Sequence, residues 1–246
     1  MRRALVGAGT AYATSVLLRA APPGGAGAWE RTNHRGPSVS LLSGPALAVA
    51  VGLSADLPRA AALVVALGAA AVGAYDDARG GRDQAKGFRG HAAALRQGRL
   101  TGGAVKVLGI GASGLLGARL AGCRDVLVAG AVVAASANLL NLLDLRPGRA
   151  LKAGAIAAAA LRQPGPLAAT AALLPDDLGE RTMLGDAGAN ALGAVLGLAL
   201  LSRAPARTCL AVLVAATAVS EVVSYSRVID AVPPLRWLDQ AGRLPP

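Results

Sequence analysis

The sequence predicts an all-α fold: a polytopic membrane helix bundle of about nine transmembrane helices, N-terminus outside and C-terminus cytoplasmic. Three observations predict it. Of the 246 residues, 54% are hydrophobic but only 2% are aromatic, an apolar excess made without the large rings that soluble cores rely on. Apolar runs recur along the whole chain, many near the roughly 20 residues that a membrane helix needs. The charges fall between these runs rather than along one helix face.

Taken in order, the candidate spans are residues 4–20, 38–55, 58–75, 103–121, 125–143, 150–163, 165–175, 187–202 and 207–223. The first follows Arg2 and Arg3, a charged start that a secretory signal would share. The further apolar runs favour a retained helix. The sixth and seventh are short, and Pro164-Gly165-Pro166 marks the turn between them. If the loop after the third span is cytoplasmic, alternation puts loops 19–37, 76–106, 144–152, 176–186 and 224–246 on that side. They hold 17 of the 25 Lys and Arg residues, the bias of the positive-inside rule, with Arg2 and Arg3 as a mild violation. Residues 1–223 form the membrane domain with its cytoplasmic loops. Residues 224–246 form a cytoplasmic tail of two short interfacial segments broken at Pro233-Pro234, with Trp237 at headgroup level.

The net charge of +11 suits either nucleic acid or the cytoplasmic face of a membrane. Charges set between apolar segments, with few aromatics to stack on bases, exclude nucleic acid. Cys123 and Cys209 have neither metal-ligand spacing nor a disulfide framework. Abundant Ala, Gly and Arg read as the coding bias of a GC-rich genome, not as function.

The acidic clusters all fall on the predicted cytoplasmic side: Asp76-Asp77, Asp144, Asp176-Asp177 with Glu180, and Asp186. A lone Asp there is a solvated helix end as readily as a functional group; several sets on one face point to function. In "ANLLNLLDLRPGRALK", Asn138, Asn141 and Asp144 follow one another at three-residue spacing, along one helix stripe. Interhelical hydrogen bonding is one use for such a stripe. The other is a hard-oxygen site for Mg²⁺, which takes few carboxylates together with substrate phosphates. In "MLGDAGANALGA", Asp186 opens the eighth span, Gly185 and Gly188 permit close backbone approach to a ligand, and the helix N-terminus attracts anions. Arg79, Arg82, Lys86, Arg89, Arg146, Arg149 and Lys152 surround these acids, the complement a diphosphate requires.

These segments resemble the polyprenyl-phosphate N-acetylhexosamine-1-phosphate transferases, a family that includes phospho-N-acetylmuramoyl-pentapeptide transferase and the polyprenyl-phosphate GlcNAc-1-phosphate transferases. Asp76-Asp77 with Lys86-Gly87 looks like the family's aspartate pair and downstream lysine. "NLLNLLDLRPG" looks like its Asn-x-x-Asn-x-x-Asp signature, and "LGDAGANALGA" like its Gly-Asp-x-Gly-Ser motif. "RTNHRGPSVSLLSGP" resembles, less specifically, its first cytoplasmic loop. The resemblance implies a bacterial plasma-membrane enzyme that moves a sugar-1-phosphate from a UDP-sugar to a polyprenyl phosphate, releasing UMP, in cell-envelope synthesis. It implies Mg²⁺ on Asp186 and Asn141, and Asp76 and Asp77 orienting or deprotonating the lipid phosphate. Lys86 would hold phosphate oxygens, with Asn138, Asp144, Arg89, Arg146 and Lys152 around the nucleotide and diphosphate. Membrane lipids are partners on this reading, and a homodimer is compatible with it. The chain departs from the family in being shorter and in having "RPGRALK" where peptidoglycan-pathway members have an Asp-Gly-rich continuation. Its only histidines are His34 and His91, so the histidine-bearing sugar-recognition loop has no counterpart. The alternative is therefore a catalytically inactive polyprenyl-phosphate-binding membrane protein with a regulatory or scaffolding role. A transporter is disfavoured because the acids sit at the span ends.

Overall fold

The structure, a computed structural model, describes residues 1–33, 35–79 and 102–245; Lys86 and Arg89 lie outside them. The described residues are mostly helical: α1 (Arg2–Ala20), α2 (Ser43–Ser54), α3 (Arg59–Arg79), α4 (Gly102–Leu120), α5 (Val126–Leu143) and α6 (Arg149–Ala160). These are followed by α7 (Pro164–Leu178), α8 (Gly185–Leu200), α9 (Ala206–Val222), α10 (Tyr225–Ala231) and α11 (Pro233–Gln240). The first nine overlie the nine predicted apolar segments. The last two are the tail, broken at Pro233 as its missing N–H dictates.

Membrane-crossing length is a stricter matter than helix position. Among the described residues, α3 over Arg59–Ala78 and α5 are the two helices long and apolar enough to cross a membrane. The α9–α10 pair, bent by 90°, adds a third if it counts as one broken span. Helices α2 and α6 have 12 residues each, about 18 Å of rise against a hydrocarbon core of about 30 Å. Among the described residues, two or three of the nine expected spans thus have crossing length and apolarity.

The second predicted span is also shorter than expected at its start. Ser38–Ser40 forms a strand, β2, paired antiparallel with β1 (Glu30–Thr32). Pro37 and the alternation of exposed Ser38 with buried Val39 favour a strand there over a helical turn. The hairpin turn is closed by Asn33, whose side-chain oxygen accepts the Arg35 N–H at 2.8 Å, and by Gly36 at φ +102. Met183 N–H then donates to the Ser40 carbonyl at 2.9 Å, which docks the hairpin on the segment leading into α8.

Helix α8 is the axis of the bundle, buried from Ala187 to Ala199 and packed against α2, α3, α5 and α6. Small residues make that possible. A Cβ at Gly188 would meet the Gly44 Cα at 2.7 Å, and one at Gly193 would meet the Ala137 Cα at 2.7 Å. The glycines and alanines that read as coding bias are therefore the contact surfaces of the helices, as in bundles that lack a solvent-driven hydrophobic term between helices. Gly188 is occupied by helix packing, not by close approach to a ligand.

Candidate functional site

The C-terminal end of α3 meets the N-terminal end of α8. Gly73 brings the α3 backbone against the Asp186 carbonyl and the Ala187 nitrogen with no room for a Cβ. One turn on, the Asp77 carboxylate accepts the Asp186 N–H on one oxygen and the Ala187 N–H on the other, both at 3.1 Å. Asp77 thus satisfies two of the orphan donors at the helix start and places a negative charge at the positive end of its dipole. The anion-attracting N-terminus expected from the sequence holds an anion of its own chain. Arg31, on β1, donates to the Asp77 carbonyl and so ties the hairpin to the same junction.

Asp76, beside it, faces Asp186, the two side chains being within hydrogen-bonding reach. Lys106, from the second turn of α4, forms an ion pair with Asp186 and approaches Asp76 Oδ2 at 3.5 Å. Three helices therefore contribute two carboxylates and one ammonium to a single cluster. No sequence motif marks Lys106. The available signal was a lysine inside the fourth apolar helix, which needs an acidic partner at such a position.

Asp144 caps the C-terminus of α5, and its carboxylate faces the Gly185 N–H. Burial pushes its carboxyl well above the ordinary carboxylate range; the charges of Asp177, Asp186 and Asp77 add to that push, and the Gly185 N–H opposes it. Helices α5 and α8 run antiparallel, with Gly193 against Ser136 and Ala137 and Gly197 against Val133. The same register sets Asn141 level with Ala189, about one turn from Asp186. The Asn141 side-chain oxygen is buried without a hydrogen-bond partner among the described residues, a group that a water or a cation would satisfy. Asn138 lies one turn further from the helix end, partly buried.

Beside the Asp144 turn, a cavity of about 210 Å³ is lined by Thr32, Asn33, Asp144, Arg146, Asp177 and Thr182, among others. Asp177 Oδ1 and Thr182 Oγ1 are buried there without partners. The acidic trio read together in sequence is divided among tasks. Asp176 pairs outward with Arg19 and Arg181, Glu180 accepts from Asn33 at 2.6 Å and Arg35 at 3.0 Å, and Asp177 turns inward to accept the Gly148 N–H.

Of the predicted phosphate-binding cations, Arg146 is exposed at the rim of this cavity. Lys152 is placed elsewhere: its ammonium donates to the Leu238 and Asp239 carbonyls at 2.9 Å and to Ala241 at 2.6 Å. Arg149, also counted among those cations, is buried in a bidentate pair with Asp239 at 2.8 and 3.0 Å. The tail folds its carbonyls and a carboxylate against α6, a tertiary contact with no local sequence signal, so both cations are withdrawn from the expected phosphate set.

Asp177 carries a pH signature. Burial lifts its carboxyl to about 6, against the opposing pull of the Gly148 N–H, Arg243 and Lys152. Between the ordinary value near 3.8 and about 6, the folded chain keeps a proton that the unfolded chain has lost. This contribution to stability is fully present below the lower value and is lost as pH rises through the upper one. Asp177→Asn is expected to flatten the decline in melting temperature between about pH 4 and pH 7, a slope worth on the order of 2–3 kcal/mol. Thermal unfolding of the detergent-solubilised protein across that range checks it; an unchanged slope would show that other groups carry the dependence.

Comparison of the chain with protein-family models, with curated proteins and with solved structures gives no match. Among the described residues, no group of three or more His, Cys, Asp or Glu side chains is placed to hold a metal ion. Asp76 and Asp186 nevertheless make a two-carboxylate pair already bridged by a cation. Two carboxylates of this kind fit Mg²⁺, which takes one or two carboxylates and keeps waters or phosphate oxygens for the rest.

Proposed function

We propose that this chain is a Mg²⁺-dependent transferase of a multi-pass bacterial plasma-membrane protein class, moving a sugar-1-phosphate from a UDP-sugar to a polyprenyl phosphate with release of UMP. The observation that carries the reading is the junction of α3, α5 and α8. Asp76-Asp77, Asp144 and Asp186, far apart in sequence, meet there at one end of the bundle, and they belong to the three motifs on which the family resemblance rests.

In the reaction, an oxygen of the lipid phosphate forms a bond to the sugar-bearing phosphorus of the donor. The bond from that phosphorus to the bridging oxygen breaks, and UMP departs with that oxygen. Bound Mg²⁺ would supply electrostatic stabilisation of the phosphoryl oxygens. Asp186, Asp76 and the Asn141 oxygen would hold it. Asp77, capping α8, fixes the Asp186 backbone so that the carboxylates keep their spacing. Asp76 would also orient the lipid phosphate, and Lys86 and Arg89 would add positive charge for its oxygens. Arg146, at the rim of the cavity beside Asp144, would meet the donor diphosphate.

The test is the intact protein with Mg²⁺, a polyprenyl phosphate and a panel of UDP-sugars, scored for UMP. Turnover that Asp186→Asn lowers by about a hundred- to a thousandfold or more supports the reading, since loss of one electrostatic group at a reacting centre has effects of about that range. The withdrawal of Lys152 and Arg149 to the tail favours a second reading, a polyprenyl-phosphate-binding protein without turnover. Lipid-phosphate binding with no UMP from any donor would select it.

A further inference from the structure

The cluster at the α3–α8 junction already contains a cation, and that cation belongs to the chain. Asp76 and Asp186 come from different helices and face each other closely enough to repel when both are ionised. The Lys106 ammonium lies between them, with its side chain 16% exposed against 33% for Asp76 and 25% for Asp186. It is the least exposed member of the trio and contacts a carboxylate on each side. We propose that Lys106 is a tethered counter-cation occupying the position that a divalent metal takes between Asp76 and Asp186, so that metal loading requires the ammonium to withdraw. The inference rests on the metal reading above and adds a competitor to it.

The charges give the competition its direction. Two carboxylates and one ammonium leave the resting cluster with a single negative charge. A divalent cation added with the ammonium in place would meet a like charge a few ångströms away, costly where solvent screens poorly. Withdrawal of Lys106 exposes both carboxylates and restores the full attraction. The four-carbon stem allows this, because lysine is a flexible point charge and not a planar fork fixed by bidentate geometry. A lasting structural ion pair predicts the opposite. If Lys106 chiefly held α4 against α3 and α8, its removal would let Asp76 and Asp186 repel and part, a loss of preorganised ligands that offsets the relief of charge repulsion and leaves metal binding weaker or unchanged. The sign of one affinity change separates the two roles.

The experiment uses the whole chain in detergent, stripped with chelator and titrated with Mn²⁺ as the probe, free Mn²⁺ being read by its electron paramagnetic resonance signal. The proteins are wild type, Lys106→Met, Lys106→Arg, Asp186→Asn and the Lys106→Met/Asp186→Asn double variant. Lys106→Met is expected to bind Mn²⁺ at least about tenfold more tightly than wild type. Lys106→Arg keeps the charge and is expected to stay near or below wild-type affinity. Asp186→Asn is expected to remove the site in both backgrounds. Lys106→Met binding with unchanged or weaker affinity, while still unfolding cooperatively, overturns the proposal and leaves the metal reading standing if wild type binds Mn²⁺ in an Asp186-dependent way. Mn²⁺ binding by none of the proteins overturns both. Lys106→Gln provides the same comparison should the methionine variant aggregate.

Discussion

Gly73→Ala is expected to separate α3 from α8 and to dismantle the acidic junction without touching any of its charged side chains. The added methyl would lie closer than 3.0 Å to the Asp186 carbonyl and the Ala187 nitrogen. Both are backbone atoms at the start of a buried helix, so no side chain can rotate aside. Overpacking of this kind costs about 1–3 kcal/mol where neighbours can relax, and the upper end or more is expected here. The Asp77 hydrogen bonds to Asp186 and Ala187, both at 3.1 Å, lie one turn away and would lengthen with the shift. A melting temperature lowered by several degrees in detergent, together with loss of Mn²⁺ binding, is the expected pair of results. Gly9→Ala, where the added methyl meets nothing within 4 Å, is the control. Equal behaviour of the two variants would mean that the junction is not tightly packed.

Asp239→Ala is expected to have the largest effect of any tail substitution. Arg149 is 5% exposed, and among the described residues its guanidinium would keep only the Ser226 hydroxyl, at 2.9 Å. Removing one partner of a buried ion pair leaves the other charge desolvated, at a cost of about 3–5 kcal/mol. The loss reaches the cavity as well. Arg243, which pairs with Asp239, also donates to the Pro147 carbonyl at 2.9 Å, next to the Gly148 N–H that Asp177 accepts. The double variant Arg149→Met/Asp239→Leu is expected to recover most of the stability, because an apolar pair of similar volume replaces a buried charge pair at little net cost. Equilibrium unfolding of the three proteins measures this. A single-variant loss below about 1 kcal/mol would show that the pair is hydrated and contributes little.

The apolar runs made helix positions legible because a helix long enough to be apolar all round needs no partner to be recognised. Reach was less legible: the segment 38–55 contains a strand and a 12-residue helix, and its mean hydropathy does not distinguish these from one span. At the site, Asp76, Asp77, Asp144 and Asp186 were readable because carboxylates at the ends of apolar helices are costly without a use. Their individual tasks were not. That Asp77 caps α8 depends on Gly73 permitting close approach, a tertiary fact. Lys152 looked like Arg146 in sequence, and only the fold of the tail, which brings three carbonyls to its ammonium, separates them. Lys106 went unassigned because its partners lie 30 residues before it and 80 after.

Helix α2 carries a consequence of its length. It packs through Gly44 against Leu184 and Gly188 at the start of α8. In a bilayer, its 12 residues would leave about 12 Å of hydrocarbon thickness unmatched. Mismatch is relieved by local thinning, so headgroups would dip toward the acidic junction on the side where α2 lies. On the proposed function, an acceptor lipid would present its phosphate there without being pulled from its leaflet, and thicker membranes are expected to slow the proposed release of UMP.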